Sequence, residues 1–575
     1  MTLNKPKVIW FAAFTAVFAV CAAFVFWGTW SPEMAPVMPD CATSYSTYWF
    51  RDWLRSWLEN GKFAPAEAIN WIGSPYLWTE FQYAFAAFMS ALGMVYFLRG
   101  RGLPSVAAYG AGLLLAFSGY WFTLFSAGHL GWFQWMTYGV FAFGLIDRAL
   151  EKGKPRHWLL LGACLAWGSM HQPDLWLLFS VFSAVYFVFR LSVVLHDTAR
   201  DMRRATVVKW AKGSALALAA LLAIGGASFR RAFVNDLAGR DKQIEEGQTL
   251  GANAAKDDAE KRWIFVTNWS MPPEATKEFW HAGVEGDTSC PFTLAIGQKR
   301  GNGIRQYVGR LGRPMGATQG NYRQHSLYVG WVTCFLAVLG LLSALLPWLR
   351  DVGHETRATG DGQQSTMDSP SNTNNSAIIF FAVSAVVFWL FSMGRYCEPV
   401  YRLVYALPFG DYLRAPVKWH HLTEFCLCVL AGYGLAMLRF RFVPSALRKA
   451  SPDSSPAANR AALIATSLVA MWVVIGLTHL VPNARLYCAP HRADADMQFV
   501  DGRMLQDPRG VAQLNQMRAR VLGTYQGAAL VEIPKKKPKD EPAPELPSPQ
   551  PVTLALGILS LVGTLAVGAY GIKKS

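Results

Sequence analysis

The chain has 575 residues, of which 52% are hydrophobic, 14% aromatic and only 16% charged, and its mean hydropathy is +0.19. Soluble globular domains carry about 25% charged residues, so this composition excludes an ordinary water-soluble domain and points to a chain made for lipid. A formal charge of +16 does not call for nucleic acid, because membrane orientation explains most of the Lys and Arg excess in the short loops.

A bilayer core takes roughly 20 apolar residues per helix, and about twelve runs meet that criterion. In chain order they lie near 8–29, 80–98, 104–125, 130–147, 157–171, 174–195, 211–228, 327–349, 377–395, 419–438, 461–481 and 552–571. The first has a long apolar core and no clear small-residue cleavage site before Trp27 and Trp30, which favours an anchor over a signal peptide. The run at 157–171 is short. With Lys5 and Lys7 inside, every second loop is basic: Arg99 and Arg101; Arg148, Lys152, Lys154 and Arg156; Arg200, Arg203, Arg204, Lys209 and Lys212; Arg439, Arg441, Arg448 and Lys449; Lys573 and Lys574. The tight outer turns at Gly128-His129 and Gln172-Pro173 carry no Lys or Arg. The expected fold class is therefore an all-α polytopic membrane protein of about twelve transmembrane helices. It has large extracytoplasmic loops, sits in the inner (cytoplasmic) membrane and keeps both termini cytoplasmic.

Four polar segments interrupt the pattern on the outer side: Ser31–Trp78, Phe229–His325, Gly394–Lys418 and Pro482–Pro551, the last ending in a Lys/Pro/Glu-rich linker. An inner loop, Asp351–Ser376, is rich in Ser, Asn and Gly and is expected to be disordered. The outer cysteines are Cys41, Cys290, Cys397 and Cys488, an even number in a compartment that permits disulfides, although pairing needs geometry that sequence does not supply. In Ser31–Trp78, Tyr45, Tyr48, Trp49, Trp53 and Trp57 recur at helical spacing, and Arg51, Asp52, Arg55 and Glu59 take the other side. That pattern predicts an interface helix over 43–60 with Asp40 just before its first turn, where an aspartate either caps the helix or accepts a proton.

Several further pieces stand in order along the chain: Pro39-Asp40 before the aromatic helix and Gly61; Phe117-Ser118-Gly119-Tyr120 with Gly128-His129 and Trp132; His171-Gln172-Pro173; Asn268-Trp269-Ser270-Met271-Pro272-Pro273-Glu274; Tyr328-Val329-Gly330; and Leu413-Arg414-Ala415-Pro416 leading into Leu430-Ala431-Gly432-Tyr433-Gly434. Their order and spacing resemble the bacterial YfhO-like membrane protein family of the glycosyltransferase-C (GT-C) superfamily. The resemblance covers roughly residues 8–440. It divides the chain into a GT-C-like core over 1–440 with outer loops 31–78 and 229–325, a further membrane segment over 441–481, an extracytoplasmic segment over 482–551 and a C-terminal helix over 552–575.

The resemblance implies a membrane enzyme that moves a sugar from a polyprenyl-phosphate donor to a cell-envelope glycan, lipid or protein, with Asp40 as general base. The third outer loop adds a physical anomaly: Arg395, Arg402, Arg414 and Lys418 crowd a segment that should be poor in cations, and a bound lipid phosphate accounts for them. Arg414 and Lys418 are the first candidates for that phosphate, with Arg323 and His325 behind them. The alternative is that Arg414 pairs with Asp411 or Glu398 and fixes the loop. His129, His171, Asp174, Glu274 and Tyr120 are the candidates that line the site or meet the acceptor. Metal use is undecided: Asp40 and Asp174 offer the oxygen ligands that Mg2+ or Mn2+ takes, but Arg and Lys alone can neutralise a monophosphate. A transporter or flippase of lipid-linked glycans, and a non-catalytic membrane scaffold, are the competing classes.

Overall fold

The computed structural model describes residues 5–26, 75–119, 130–169, 173–231, 257–280, 327–345, 371–407 and 410–442. The expected interface helix at 43–60, the runs at 461–481 and 552–571 and the 482–551 segment lie outside the described residues. Within them every predicted apolar run is a helix, and no strand occurs among the described residues. The helices are α1 (Lys5–Phe26), α2 (Pro75–Gly100), α3 (Ser105–Ala116), α4 (Leu130–Lys152), α5 (Pro155–Ser169), α6 (Pro173–Asp197), α7 (Arg203–Arg231), α8 (Asp258–Val266), α9 (Trp331–Leu345), α10 (Ser371–Ser392), α11 (Glu398–Tyr405) and α12 (His420–Phe442).

Among the described residues five stretches are long and apolar enough to cross a membrane: Tyr83–Gly100, Leu175–His196, Arg203–Ala227, Asn375–Ser392 and Pro416–Leu438. Shorter apolar helices cover Trp10–Ala22, Ser105–Ala116 and Trp331–Leu345. This is a helical protein with membrane-spanning helices, and the described residues support that statement rather than a count of twelve. Several boundaries differ from the sequence reading. α3 stops at Ala116, well short of 125, and α9 starts at Trp331 because residues 327–330 are extended and bonded elsewhere. α7 continues to Arg231, three residues into the expected loop, and Ser371–Ser376 form the first turns of α10 instead of the end of an inner loop.

Local chemistry sets the connections. α5 and α6 open on Pro155 and Pro173, whose fixed φ suits a first helical position and whose missing N–H costs nothing there. Gly102 at φ +83° and Gly153 at φ +60° reverse the chain after α2 and α4, in a region where a side chain would be strained.

Packing follows from the lack of a hydrophobic driving force inside lipid, so helices associate through close contact and ring geometry. α12 packs against α9, α10 and α3, and α2 packs against α3 and α4. Phe143, Phe182, Phe381 and Phe425 bring α4, α6, α10 and α12 to one aromatic centre, with Phe143 and Phe425 centroids 4.7 Å apart. Phe97 adds α2 through an edge contact with Tyr186. The α9–α12 pair is closer still. A Cβ on Gly340 would strike the Leu430 carbonyl and one on Gly434 the Leu336 carbonyl, so these backbones touch with no side chain between them. By contrast Val181, Val185 and Val188 on α6 and Val383 and Val386 on α10 are exposed, as lipid-facing residues would be.

At the basic-loop ends of α2, α4 and α6 sits a buried ionic cluster that the sequence reading did not pick out. Asp147, 1% exposed, accepts from Arg190 Nε at 2.6 Å and Tyr186 Oη at 2.8 Å, and Arg101 Nη1 stands 3.9 Å away. Arg190 also reaches Glu151 at 3.0 Å. Two predictions follow from this packing. Gly434→Val is expected to destabilise the α9–α12 pair by about 1–3 kcal/mol, read as an earlier thermal unfolding transition in detergent. Asp147→Asn removes the shared carboxylate from buried arginines and is expected to cost roughly 3–5 kcal/mol; a wild-type transition temperature would contradict both assignments.

Candidate functional site

The described loop residues fold around one turn, Thr267–Met271. It follows α8, whose start is set by Asp257: the carboxylate accepts from Glu260 N at 2.7 Å, with Asp258 and Glu260 in the first turn. α8 ends where the Thr267 hydroxyl donates to the Trp263 carbonyl at 2.7 Å, and Trp269 then adopts φ +58°. A left-handed tryptophan is held only by its surroundings, and here they are explicit. Ser270 Oγ donates to Thr267 O at 2.6 Å and accepts from Arg395 N at 3.0 Å. Arg395 Nε donates to Thr267 O at 3.2 Å and its Nη2 to Asn268 Oδ1 at 3.3 Å. Met271 N donates to Ser392 O, Ala415 N to Val266 O and Val417 N to Trp269 O. The turn is thus clasped by both ends of the third outer loop.

Gly394 makes the clasp close. It sits at φ +50°, and a Cβ there would strike Ser270 Oγ and Pro416. Ala415, the other contact, is itself left-handed at φ +66°.

Arg414 and Lys418 are both brought to this clasp. The Arg414 guanidinium lies over the Trp269 ring at 4.2 Å and the Phe265 ring at 4.7 Å. The two carboxylates considered as its partners bond other arginines: Asp411 accepts from Arg262 at 3.0 Å and Glu398 from Arg402 at 2.8 Å. Arg402 also stacks on Trp263 at 3.9 Å, with Tyr405 5.3 Å from that indole. Burial raises the Tyr401 and Tyr405 phenols above the ordinary tyrosine value, so both enter as neutral aromatic faces. Lys418 is 7% exposed and ends the short 3-10 helix Pro416–Trp419. A lysine that deep, at the head of a membrane-spanning helix, is costly unless it meets an anion or polar partners.

Beyond the clasp the chain forms the 3-10 helix Pro273–Phe279, with Glu274 exposed in its first turn. Glu278 is buried and accepts from Leu327 N at 3.2 Å; Val329 N and Gly330 N donate to Phe279 O; Gly119 N donates to Tyr328 O at 2.8 Å. The Asn268–Glu274, Tyr328–Gly330 and Phe117–Gly119 pieces are therefore contiguous in space.

Of the remaining candidates, Asp174 stands in the first turn of α6, where only its backbone is described. Asp40, Tyr120, His129, His171, Arg323 and His325 lie outside the described residues. Among the described residues no group of three or more His, Cys, Asp or Glu is arranged to hold a metal ion. Sequence reasoning passed over the polar head of α12, where His420, His421 and Glu424 are fully buried. The available signal was ionisable residues inside an apolar run.

If Trp269 supplies the face on which Arg414 rests, Trp269→Leu is expected to destabilise the clasp by about 1 kcal/mol and Trp269→Phe by less, measured by thermal unfolding. Equal stability of all three proteins would remove the cation–π contact from the account. No family model matches this chain, and no curated protein or solved structure matches it either.

Proposed function

We propose that this protein is an integral membrane glycosyltransferase that transfers a sugar from a polyprenyl-phosphate donor to an envelope acceptor on the extracytoplasmic side. The observation that carries the reading is the position of Arg414. A guanidinium aligned on Trp269 and Phe265, with Lys418 four residues on at the head of a membrane-spanning helix, suits a phosphate that arrives laterally from lipid. Aromatic faces beside it suit the apolar chain or the sugar ring of such a donor.

In this reading Arg414 and Lys418 hold the phosphate and stabilise the charge that develops on it as the glycosidic bond breaks. Asp40 takes the acceptor proton, and Glu274, exposed next to the clasp, meets the acceptor. Arg323, His325, His129, His171, Asp174 and Tyr120 complete the proposed site. The inner-membrane location, the cytoplasmic termini and the GT-C-like bundle of about twelve spans belong to the same proposal. No nucleotide or nucleic acid is part of it.

The test is transfer of a labelled sugar from a polyprenyl-phosphate donor to membrane extract by the purified protein. Arg414→Gln is expected to lower kcat/KM for the donor roughly 10- to 100-fold, the loss of one charge-assisted contact, with Arg414→Lys intermediate. Asp40→Asn is expected to abolish transfer while donor binding persists; transfer at the wild-type rate would remove Asp40 as the base. Flux of a lipid-linked glycan across proteoliposomes, with no new glycosidic bond formed, would place the protein in the transporter class instead.

A further inference from the structure

α5 and α7 run side by side in parallel register: a Cβ on Gly213 would strike the Trp158 ring and one on Gly162 the Ala217 carbonyl. One turn further toward the basic loops, the same register sets Lys209 beside Lys154 and the α4–α5 turn. Lys209 lies across Gly153 there, so close that a Cβ on that glycine would strike its Cε and Nζ, and the glycine turns at φ +60°. The Trp210 indole fixes the approach by donating to Leu150 O at 3.0 Å. Lys152 and Lys154 flank the same turn and are exposed. Two separate parts of the chain therefore bring three lysines to one turn.

Like charges gathered in this way repel unless an anion stands among them. The acids described at this end do not take that place. Asp147 and Glu151 bond Arg190, and Asp201 is exposed in the 3-10 helix Arg200–Met202 ahead of α7. Lys152, Lys154 and Lys209 stand in no ion pair among the described residues. The arginines nearby are engaged with backbone: Arg148 donates to the Gly144 and Tyr96 carbonyls, and Arg203 to the Thr198 and His196 carbonyls at the end of α6.

Beside these cations the surface is apolar and open. α7 is the least buried of the five described stretches that can cross a membrane, with 11% of it buried. Val207 and Val208, next to Lys209, and Leu159 and Leu160 on α5 are all exposed. Cations at the end of an exposed apolar face match the two parts of one kind of molecule, a phosphate headgroup and its acyl chains. A free anion would account for the lysines and leave the valines and leucines unexplained. We infer that the Gly153 turn and the head of α7 bind an anionic phospholipid, with the phosphate at Lys154 and Lys209 and the chains against the exposed faces of α5 and α7. The inference does not depend on the transferase reading and concerns the end of the bundle away from the clasp.

The test places the full-length protein, delipidated in neutral detergent, in nanodiscs of phosphatidylcholine alone or of a three-to-one mixture of phosphatidylcholine and phosphatidylglycerol. Lipid that stays with the re-extracted protein is counted by mass spectrometry. Wild type is expected to retain phosphatidylglycerol above the proportion supplied. Lys154→Gln/Lys209→Gln is expected to lose that excess, an affinity drop of roughly 10- to 30-fold for two charge contacts, while unfolding in phosphatidylcholine alone at the wild-type temperature. Lys261→Gln/Lys277→Gln, which removes two exposed charges near the clasp, is expected to keep the excess. Wild type that retains the two lipids in the proportion supplied overturns the inference. So does an equal loss in the two double variants, since net charge and not this turn would then select the lipid. Displacement of the bound phosphatidylglycerol by inorganic phosphate also overturns it, because it marks a site for a free anion.

Discussion

Hydrogen bonds from one short turn hold the described outer region together. The backbone groups of Val266, Trp269 and Met271 bond those of Ala415, Val417 and Ser392, joining segments more than 120 residues apart in the chain. Near a bilayer these bonds have few water-mediated substitutes, so each is worth more than it would be on an aqueous surface. Everything placed at the clasp depends on them. Arg414 has its aromatic bed only because Trp269 is fixed in a left-handed conformation, and Lys418 stands just ahead of α12 because Ala415 turns the chain. Strain at Trp269 and Ala415 is balanced by this network, which is why two unfavourable backbone conformations persist side by side.

The described part of the molecule divides its polar chemistry between two levels. At the basic-loop ends, Asp147 gathers two arginines and a tyrosine from α4, α6 and the segment after α2. Toward the clasp, Glu424, His421 and Ser118 join α12 to α3. Between the levels lies the phenylalanine centre, which has no polar atom to satisfy and fixes helix positions through ring contacts alone. Cations at the clasp and the ionisable groups below it are held apart by less than the length of one short helix.

The helices were legible in the sequence because apolar runs of the required length admit little else in lipid: α4, α6 and α12 fall on their predicted runs to within a few residues, while α7 begins eight residues before its run. Arg414 and Lys418 were legible too, as cations crowded into one short segment. Their companions were not. Asn268, Trp269 and Ser270 stood out only as a motif, and no periodicity reveals that a turn about 145 residues upstream supplies the ring under Arg414. Asp147 was hidden because a single acid beside Arg148 reads as ordinary loop chemistry, and its partner Arg190 sits inside an apolar run. His421 and Glu424 were overlooked because the run at 419–438 was judged by its mean hydropathy, which two buried ionisable residues barely lower. The ends of α3 and α9 were misjudged for a related reason: residues 117–119 and 327–330 are apolar enough for a helix, but Gly119 N bonds Tyr328 O, and the N–H groups of Leu327, Val329 and Gly330 bond Glu278 and Phe279.

The contact of Gly340 with Leu430 and of Gly434 with Leu336 has a mechanical meaning. Two helices that meet backbone to backbone have no layer of side chains to absorb a change of angle, so α9 and α12 must lean as a single beam. Tyr328 and Gly330 stand at the upper end of one and Lys418 at the upper end of the other. Any lipid mixture thick or thin enough to alter the tilt of α12 would therefore re-aim the lysine and the Tyr328–Gly330 strap by the same rotation, preserving their mutual geometry while the surrounding bilayer deforms.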